Sequence, residues 1–274
     1  MIHVVVALAE EARPLLRAYK LQALPNTKAF RIYVGHEMRV IVSGVGKTAS
    51  AAAVGYLEAA FPSAMSRAWV NFGVAGHRDL ALGTTTLAHK VLDEASGRAH
   101  FPVFTFKPTS KTHTVCTRET VTTHYSDDAL CDLEASAMLG VAIRFSTAEL
   151  VHCIKVISDN ATHPASMVTG AGVEELMTRA LPAFENLRKA LMTQCAELHI
   201  VEAPPPFFLE LREQARCSVS EEHQLRRLLQ RAAALGLGDP RSLVAQARFG
   251  KDMIRILDAR LANSPLSFER EKAE

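Results

Sequence analysis

The chain alternates between short apolar runs and longer segments whose apolar residues recur at helical spacing. Apolar runs rich in β-branched residues predict buried strands. They lie at 2–9, 68–73, 84–92 and 150–157, with a hairpin at 30–34 and 38–43 and a short strand near 113–117. Helical spacing predicts helices at 10–19, 48–61, 129–145 and 171–193, and residues 95–112 are predicted to be a loop. This alternation indicates an α/β fold, a three-layer sandwich in which helices flank a central mixed sheet.

The pattern changes after residue 203. A run of three prolines at 204–206 is a stiff break, and only helical spacing follows it. The predicted helices lie at 207–216, 221–235, 240–249 and 251–262. Ser218 and Glu221 have the spacing of a capping box. We therefore predict an α/β domain over 1–203 and a helical C-terminal extension over 204–274.

Composition narrows the class of protein. The chain has 274 residues, 48% hydrophobic and 22% charged, which is typical of a globular protein. Its net charge of +2 is too small to indicate nucleic-acid binding. Five arginines of the C-terminal extension keep that possibility open, although interspersed acids favour a solvated helix face. They are Arg226, Arg227, Arg231, Arg241 and Arg248.

Cysteine and apolar content predict the compartment. Five widely spaced cysteines without a CxxC pair favour free thiols in a reducing cytoplasm. No apolar run approaches the roughly 20 residues that span a bilayer, and the N-terminal run is too short for a signal peptide. We therefore expect no membrane partner. The histidines show no metal-binding spacing, so we expect no metal either.

The segment IVSGVGKT at 41–48 looks like the end of a phosphate-binding loop. Such a loop needs its first glycine five residues before the second, and that position holds Ile41. The segment is better explained as a tight strand-to-helix turn whose glycines permit close packing.

Three acids lie where a sheet of this class binds ligands, near the carboxyl ends of strands. Glu11 follows the first strand, Asp159 follows the strand at 150–157, and Glu134 lies near the start of a buried helix. Each has an ordinary alternative. Glu11 could be a first-turn helix acid and Asp159 a turn residue. An unpaired acid is costly in the apolar helix of Glu134, which favours a function there.

Several blocks resemble the purine/uridine phosphorylase family, and most closely its 5′-methylthioadenosine/S-adenosylhomocysteine nucleosidase branch. The blocks are VVVALAEEARPLL (4–16), SGVGKTASAA (43–52), NFGVAG (71–76), CDLEASAM (131–138) and IKVISDNA (154–161). They occur in the family's order, and the resemblance does not reach 204–274. It implies a nucleoside phosphorylase-like fold, a homo-oligomer, a nucleoside substrate and no cofactor.

The resemblance also implies roles for individual residues. Glu11 takes the place of the acid that activates the attacking water. Asp159 takes the place of the acid that protonates the purine at N7, and Ser158 orients it. Glu134, with Leu133 beside it, takes the place of the acid that holds the ribose hydroxyls. The remaining implied contacts are Leu8 and Val45 at the 5′ end of the ribose, Val121 near the base, and Gly76 in the glycine-rich block.

Cleavage of an N-glycosidic bond calls for these residue types. The sugar becomes cationic and the base anionic, so one acid must protonate the base while a second takes a proton from the nucleophile. The family's phosphate contacts are missing here, since the first turn lacks glycine and arginine and Val74 replaces a serine or threonine. These features favour water as nucleophile.

The predicted activity is hydrolysis of a purine nucleoside or a 5′-modified adenosine. Phosphorolysis is the alternative, with Arg13, Arg78 and Lys155 as candidates for an unusual anion site. A third possibility is a protein that binds nucleosides without cleaving them.

Overall fold

The computed structural model describes residues 1–63, 65–122, 125 and 128–262. The chain divides into two compact units, the first spanning Met1–Val201 and the second beginning at Glu202. Its strands are β1 (Ile2–Val6), β2 (Gln22–Ala23), β3 (Arg31–Val34), β4 (Met38–Val42), β5 (Ala68–Gly76), β6 (Thr85–Asp93), β7 (Ala99–His100), β8 (Thr112–Thr117), β9 (Leu130–Asp132) and β10 (Val151–Asp159). Its helices are α1 (Ala9–Ala18), α2 (Lys47–Ala60), α3 (Ala135–Ala142), α4 (Gly170–Glu202), α5 (Phe208–Gln214), α6 (Val219–Ala234), α7 (Arg241–Val244) and α8 (Gly250–Ala262).

One mixed sheet organises the first unit. The strands run in the order β2, β3, β4, β1 and β5, and β5 then pairs with both β10 and β9. Since β10 pairs with β6, β6 with β8 and β8 with β9, the strands β5, β10, β6, β8 and β9 close into a ring. Four adjacent strands are all parallel to one another: β4, β1, β5 and β10. Their carboxyl ends therefore meet at one edge of the sheet.

Helices cover both faces of the sheet, which explains the unbroken apolar runs of its central strands. On one face, Val4 and Phe72 pack with Leu15 of α1 and Phe184 of α4. On the other face, side chains of the same strands pack with those of α2 and α3; this cluster includes Val5, Trp69, Leu57 and Met138. The predicted three-layer α/β class is confirmed.

The predicted helix over 129–145 is wrong in its first part. Residues Leu130–Asp132 form β9, which pairs with β8 and β5, and the helix begins only at Ala135. Asp132 fixes this boundary because its Oδ2 accepts the backbone N–H groups of Glu134 at 3.2 Å and Ala135 at 2.8 Å. The short strand β7 also interrupts the predicted loop at 95–112.

The second unit contains the helices α5 to α8 around their own apolar core, which includes Leu211, Leu225, Val244 and Met253. The predicted capping box is present, since Ser218 and Glu221 exchange hydrogen bonds at the start of α6. In the described part of the chain, none of the helices is both long and apolar enough to cross a lipid bilayer.

Candidate active site

A cavity of about 220 Å³ lies at the edge where the parallel strands end. Its walls come from the turn after β1, the turn after β4, the ends of β5 and β10, and the segments that follow β8 and β9. All of the site residues predicted from sequence line it: Leu8, Glu11, Val45, Gly76, Val121, Leu133, Glu134, Ser158 and Asp159. The end of a parallel sheet thus brings together residues that lie far apart in sequence.

Glu11 lies in the first turn of α1, and backbone N–H groups outside that helix hold its carboxylate. Its Oε2 accepts the N–H groups of Ala7 at 2.7 Å and Leu8 at 2.9 Å, and its Oε1 accepts the N–H of Val74 at 2.9 Å. The side chain is buried, and Gly73 leaves the space that it occupies, because a methyl group there would overlap Oε1. Burial raises the pKa of Glu11 despite the charge of Lys155 and the three N–H donors.

Glu134 immediately precedes α3 and faces the turn between β4 and α2. Its Oε1 accepts the backbone N–H of Gly46 at 2.8 Å. Burial raises the pKa of Glu134, and the charge of Lys155 opposes that rise. The glycine-rich segment therefore contacts a carboxylate of the chain itself through its backbone.

Asp159 ends β10 with a donor on each oxygen. The Ser158 hydroxyl donates to Oδ1 at 2.6 Å, and the Tyr125 hydroxyl donates to Oδ2. Gly76 on the neighbouring strand makes room for this pair, since a methyl group there would collide with Asp159 and with the Tyr125 ring. Burial, followed by the hydrogen bond to Asp159, raises the pKa of Tyr125, so the phenol stays protonated.

A buried ion pair acts on two of the three acids, Glu11 and Glu134. Lys155 Nζ is 2.9 Å from Asp132 Oδ2, and both side chains are almost fully buried. Burial alone would lower the pKa of Lys155, but the surrounding negative charges, led by Asp132, outweigh it and raise that pKa. Lys155 therefore stays charged, and it favours the ionised forms of Glu11 and Glu134.

The mouth of the cavity is apolar. Val45 is 56% exposed and Val121 is 66% exposed, and Leu8 and Leu133 also line the cavity. Among the described residues, no aromatic side chain lines it.

The candidate anion residues do not line the cavity. Arg13 pairs with Glu10 and Glu174, Arg78 pairs with Asp79, and Lys155 is enclosed with Asp132. The basic residue that does line it is Arg118, after β8. Within the described ranges, no group of three His, Cys, Asp or Glu side chains is placed to hold a metal ion.

Sequence reasoning missed Tyr125 and Asp132. Tyr125 lies in a segment without periodicity, so nothing in the local sequence indicates its contact with Asp159. Asp132 precedes Glu134 by two residues and carried a signal, because a charged residue in an apolar segment needs a buried partner.

No protein-family model matches the chain, and no curated protein matches it in sequence. Among solved structures, it is similar to the 5′-methylthioadenosine/S-adenosylhomocysteine nucleosidase of S. pneumoniae, with a TM-score of 0.55 and 20% identity over 69% of this chain and 99% of that one. The chain contains the fold of the methylthioadenosine nucleosidases. The resemblance seen in the sequence blocks is thus confirmed as a resemblance of fold.

Other methylthioadenosine nucleosidases are similar to the same extent. A variant of the Helicobacter pylori enzyme has a TM-score of 0.54 and 15% identity over 69% of this chain and 97% of its own, and it holds 5′-methylthioadenosine in its active site. The Arabidopsis thaliana 5′-methylthioadenosine nucleosidase in apo form has a TM-score of 0.55 and 15% identity over 71% of this chain and 95% of its own. The S. pneumoniae nucleosidase was solved with a transition-state inhibitor.

Proposed function

We propose that this protein is a nucleosidase that hydrolyses the N-glycosidic bond of a purine nucleoside or a 5′-modified adenosine. The observation that carries the proposal is the meeting of Glu11, Glu134 and Asp159 around one cavity, each with a different set of partners. Cleavage of this bond needs a base, an acid and a group that orients the sugar. The three carboxyl groups supply one of each.

Glu11 acts as the general base. Its raised pKa makes it a stronger proton acceptor than an ordinary glutamate, and Lys155 still favours its ionised form. A water molecule between Glu11 and C1′ of the sugar gives its proton to Glu11 as its oxygen bonds to C1′. The C1′–N9 bond breaks, and its electron pair goes to N9 of the purine.

Asp159 acts as the general acid. It gives a proton to N7 of the departing base, which leaves as a neutral molecule, and Asp159 becomes a carboxylate. The hydroxyls of Ser158 and Tyr125 stabilise that carboxylate, one at each oxygen. Glu134 accepts hydrogen bonds from the ribose hydroxyls and so fixes C1′ between base and acid.

The substrate class follows from the cavity mouth and from the solved nucleosidases. Leu8 and Val45 offer an apolar surface to a 5′ substituent. The Helicobacter pylori structure holds 5′-methylthioadenosine, which carries such a substituent. We propose 5′-alkylthioadenosines as the first substrates to assay, and a cytoplasmic homo-oligomer as the working form.

The first prediction concerns turnover. Purified protein should release free base from a panel of nucleosides in phosphate-free buffer, as measured by chromatography. Glu11→Gln and Asp159→Asn should each lower kcat by about 10²–10⁴-fold, because each removes one proton transfer. Glu10→Gln is the matched control, since Glu10 is the neighbouring acid and pairs with Arg13 outside the cavity.

The same panel separates the alternatives. Release of base only when phosphate is present would replace hydrolysis by phosphorolysis, with Arg118 as the basic residue in the cavity wall that could face the phosphate. Nucleosides that bind and are recovered intact after long incubation would identify a binding protein. Unchanged rates in Glu11→Gln or Asp159→Asn would remove that residue from the mechanism.

A further inference from the structure

Asp93 accepts hydrogen bonds from the first turns of both α2 and α3, the two helices that begin next to Glu134. It ends β6, and its Oδ2 lies 2.8 Å from Lys47 Nζ and 2.9 Å from Ser136 Oγ. Lys47 is the first residue of α2 and follows Gly46, whose N–H binds Glu134. Ser136 lies two residues after Glu134. We call these two hydrogen bonds, from Lys47 and from Ser136, the two arms of the Asp93 clamp. The Lys47 arm holds the residue next to Gly46, which donates, and the Ser136 arm holds the helix that follows Glu134, which accepts.

We propose that Asp93 is a positioning residue that fixes Glu134 against Gly46 and thereby sets the discrimination between ribose and 2′-deoxyribose. This inference rests on the proposed function, because it gives Glu134 the ribose hydroxyls as partners. Asp93 does not line the cavity, so it acts on the substrate only through Glu134.

The geometry of Asp93 suits a fixed clamp. Its Oδ1 accepts both the backbone N–H and the hydroxyl of Ser96 at 2.8 Å, so both carboxylate oxygens are engaged. The hydrogen bond that Lys47 donates to Asp93 is the main cause both of the lowered pKa of Asp93 and of the raised pKa of Lys47. The pair therefore stays charged over the range in which enzymes are assayed.

A second set of hydrogen bonds holds α3 from the other side. The backbone N–H of Ser136 donates to Thr117 Oγ1 at 2.9 Å, and that hydroxyl donates to Asp132 Oδ1 at 2.7 Å. The first turn of α3 is thus anchored to β8 and β9, while the Ser136 hydroxyl is anchored to β6. Glu134 has little freedom as long as the Asp93 clamp is intact.

Discrimination by a carboxylate depends on this fixed position. A site built to hydrogen-bond a substrate hydroxyl rejects the analogue that lacks it, because the buried group is then left unpaired. When the carboxylate can move and find another partner, the penalty falls. Loosening the Asp93 clamp should therefore lower kcat/KM for the ribonucleoside more than for the 2′-deoxynucleoside.

The test compares Asp93→Asn with the parent enzyme on 5′-methylthioadenosine and its 2′-deoxy analogue. We expect the ratio of the two kcat/KM values to fall on the order of tenfold, since misplacement by about 1 Å can cost up to about 10²-fold. Most of the loss should appear in KM for the ribonucleoside. Asp239→Asn is the matched control, because Asp239 forms an exposed ion pair with Arg241 in the second unit.

Further variants separate positioning from loss of folding. Ser136→Ala removes one arm and keeps the charged pair, and Lys47→Met removes the other arm. Lys47→Arg keeps a cation and should restore most of the selectivity lost in Lys47→Met. Thermal melting of each variant checks that it is folded.

A measurement that needs no substrate tests the Asp93 clamp independently of the proposed nucleosidase activity. Hydrogen exchange of the Gly46 amide in ¹⁵N-glycine-labelled protein should accelerate more than about tenfold in Asp93→Asn, because its bond to Glu134 is weakened. Unchanged exchange overturns the inference, whether or not the protein cleaves nucleosides, and so does an unchanged selectivity ratio in an active enzyme. Faster exchange in a protein that cleaves no nucleoside would support the Asp93 clamp and reject the proposed nucleosidase activity.

Discussion

At the scale of single residues, Asp159 differs from the other two acids in its donors. Glu11 and Glu134 accept from backbone N–H groups, which cannot leave, whereas Asp159 accepts from two hydroxyl groups, which can rotate. Hydroxyl donors suit a group whose charge changes during a reaction. Tyr125 is therefore the most informative residue to change outside the three acids.

Replacing Tyr125 by Phe should lower kcat about 10- to 100-fold and leave KM nearly unchanged. In the proposed mechanism, the variant removes one hydrogen bond to the carboxylate that Asp159 becomes after proton transfer, and bonds to charged groups contribute about 1.5–3 kcal/mol. Steady-state kinetics on the best substrate of the nucleoside panel measure the effect.

Two further variants show whether a loss of kcat in Tyr125→Phe comes from its hydrogen bond to Asp159. Tyr56→Phe is the control, because the Tyr56 ring packs edge-on against Phe30 away from Asp159. In an Asp159→Asn background, Tyr125→Phe should have no further effect. Equal kcat values for Tyr125→Phe and the parent would contradict a role in stabilising Asp159.

The three acids could be found from sequence and Tyr125 could not. Glu11 and Asp159 follow apolar runs, and Glu134 is a charged residue in a segment of apolar helical spacing, so each departs from a regular pattern. Tyr125 belongs to a segment without a pattern, and nothing in the local sequence indicates that its ring lies beside Gly76 or that its hydroxyl donates to Asp159.

At the scale of elements, the turn between β4 and α2 depends on backbone conformations that favour glycine. Gly44 has a φ of +81° and Gly46 a φ of +103° with a ψ of 158°. The second conformation is almost restricted to glycine, and it lets the Gly46 N–H bind Glu134. The motif that resembles a phosphate-binding loop is thus used to hold a side chain of the protein.

Gly46→Ala should weaken substrate binding and destabilise the first unit by about 1–3 kcal/mol. No atom lies within 4 Å of the added methyl group, so the effect would come from backbone strain alone. Gly55→Ala in α2 is the matched control, since it also has open space around it but an ordinary φ. That variant should stabilise the helix by roughly 0.5–1 kcal/mol. Equal shifts in melting temperature would refute the argument from strain.

Element boundaries were the least predictable part of the sequence. The segment over 129–145 has helical spacing throughout, yet Leu130–Asp132 pair with β8 and β5. Local spacing cannot reveal the partner strands or the buried Lys155 that Asp132 meets. The α/β class, in contrast, followed directly from the alternation of apolar runs and helices.

At the scale of the whole molecule, the first unit buries histidines as well as acids. His152 lies in β10 beside the rings of Phe104 and Phe106, and its Nε2 is 3.0 Å from the Glu149 carbonyl oxygen. Burial lowers the pKa of His152 to about 4 from its ordinary value of 6.5. The folded protein therefore keeps this ring neutral where the unfolded chain would protonate it.

The free energy of unfolding should consequently fall as the pH drops from about 6.5 to about 4. In that interval the unfolded state binds a proton at His152 that the folded state does not, and above it the group makes no difference. The contribution is at most about 3.5 kcal/mol, at about 1.4 kcal/mol per unit of pKa shift. His152→Phe should flatten this part of the pH dependence.

Urea unfolding followed by tryptophan fluorescence measures this effect for the first unit alone. Trp69, the single tryptophan of the sequence, is buried in β5 and reports on that unit. His36→Phe is the control, because His36 is exposed in the turn between β3 and β4. An identical pH dependence in His152→Phe and the parent would contradict a buried neutral His152.

The ring of five strands has a consequence for changing the specificity of this protein. Asp159, Gly76 and Cys131 lie side by side on β10, β5 and β9, and the segment over 118–129 leaves and re-enters the ring at hydrogen-bonded positions. Its first residue, Arg118, donates its N–H to Asp132 at 2.8 Å, next to the point where β9 ends. Because both ends of this segment are anchored, its residues other than Tyr125 can be exchanged while the three acids keep their places. For the proposed nucleosidase, selection for a different leaving base can therefore act on this one segment, provided that Tyr125 remains to donate to Asp159.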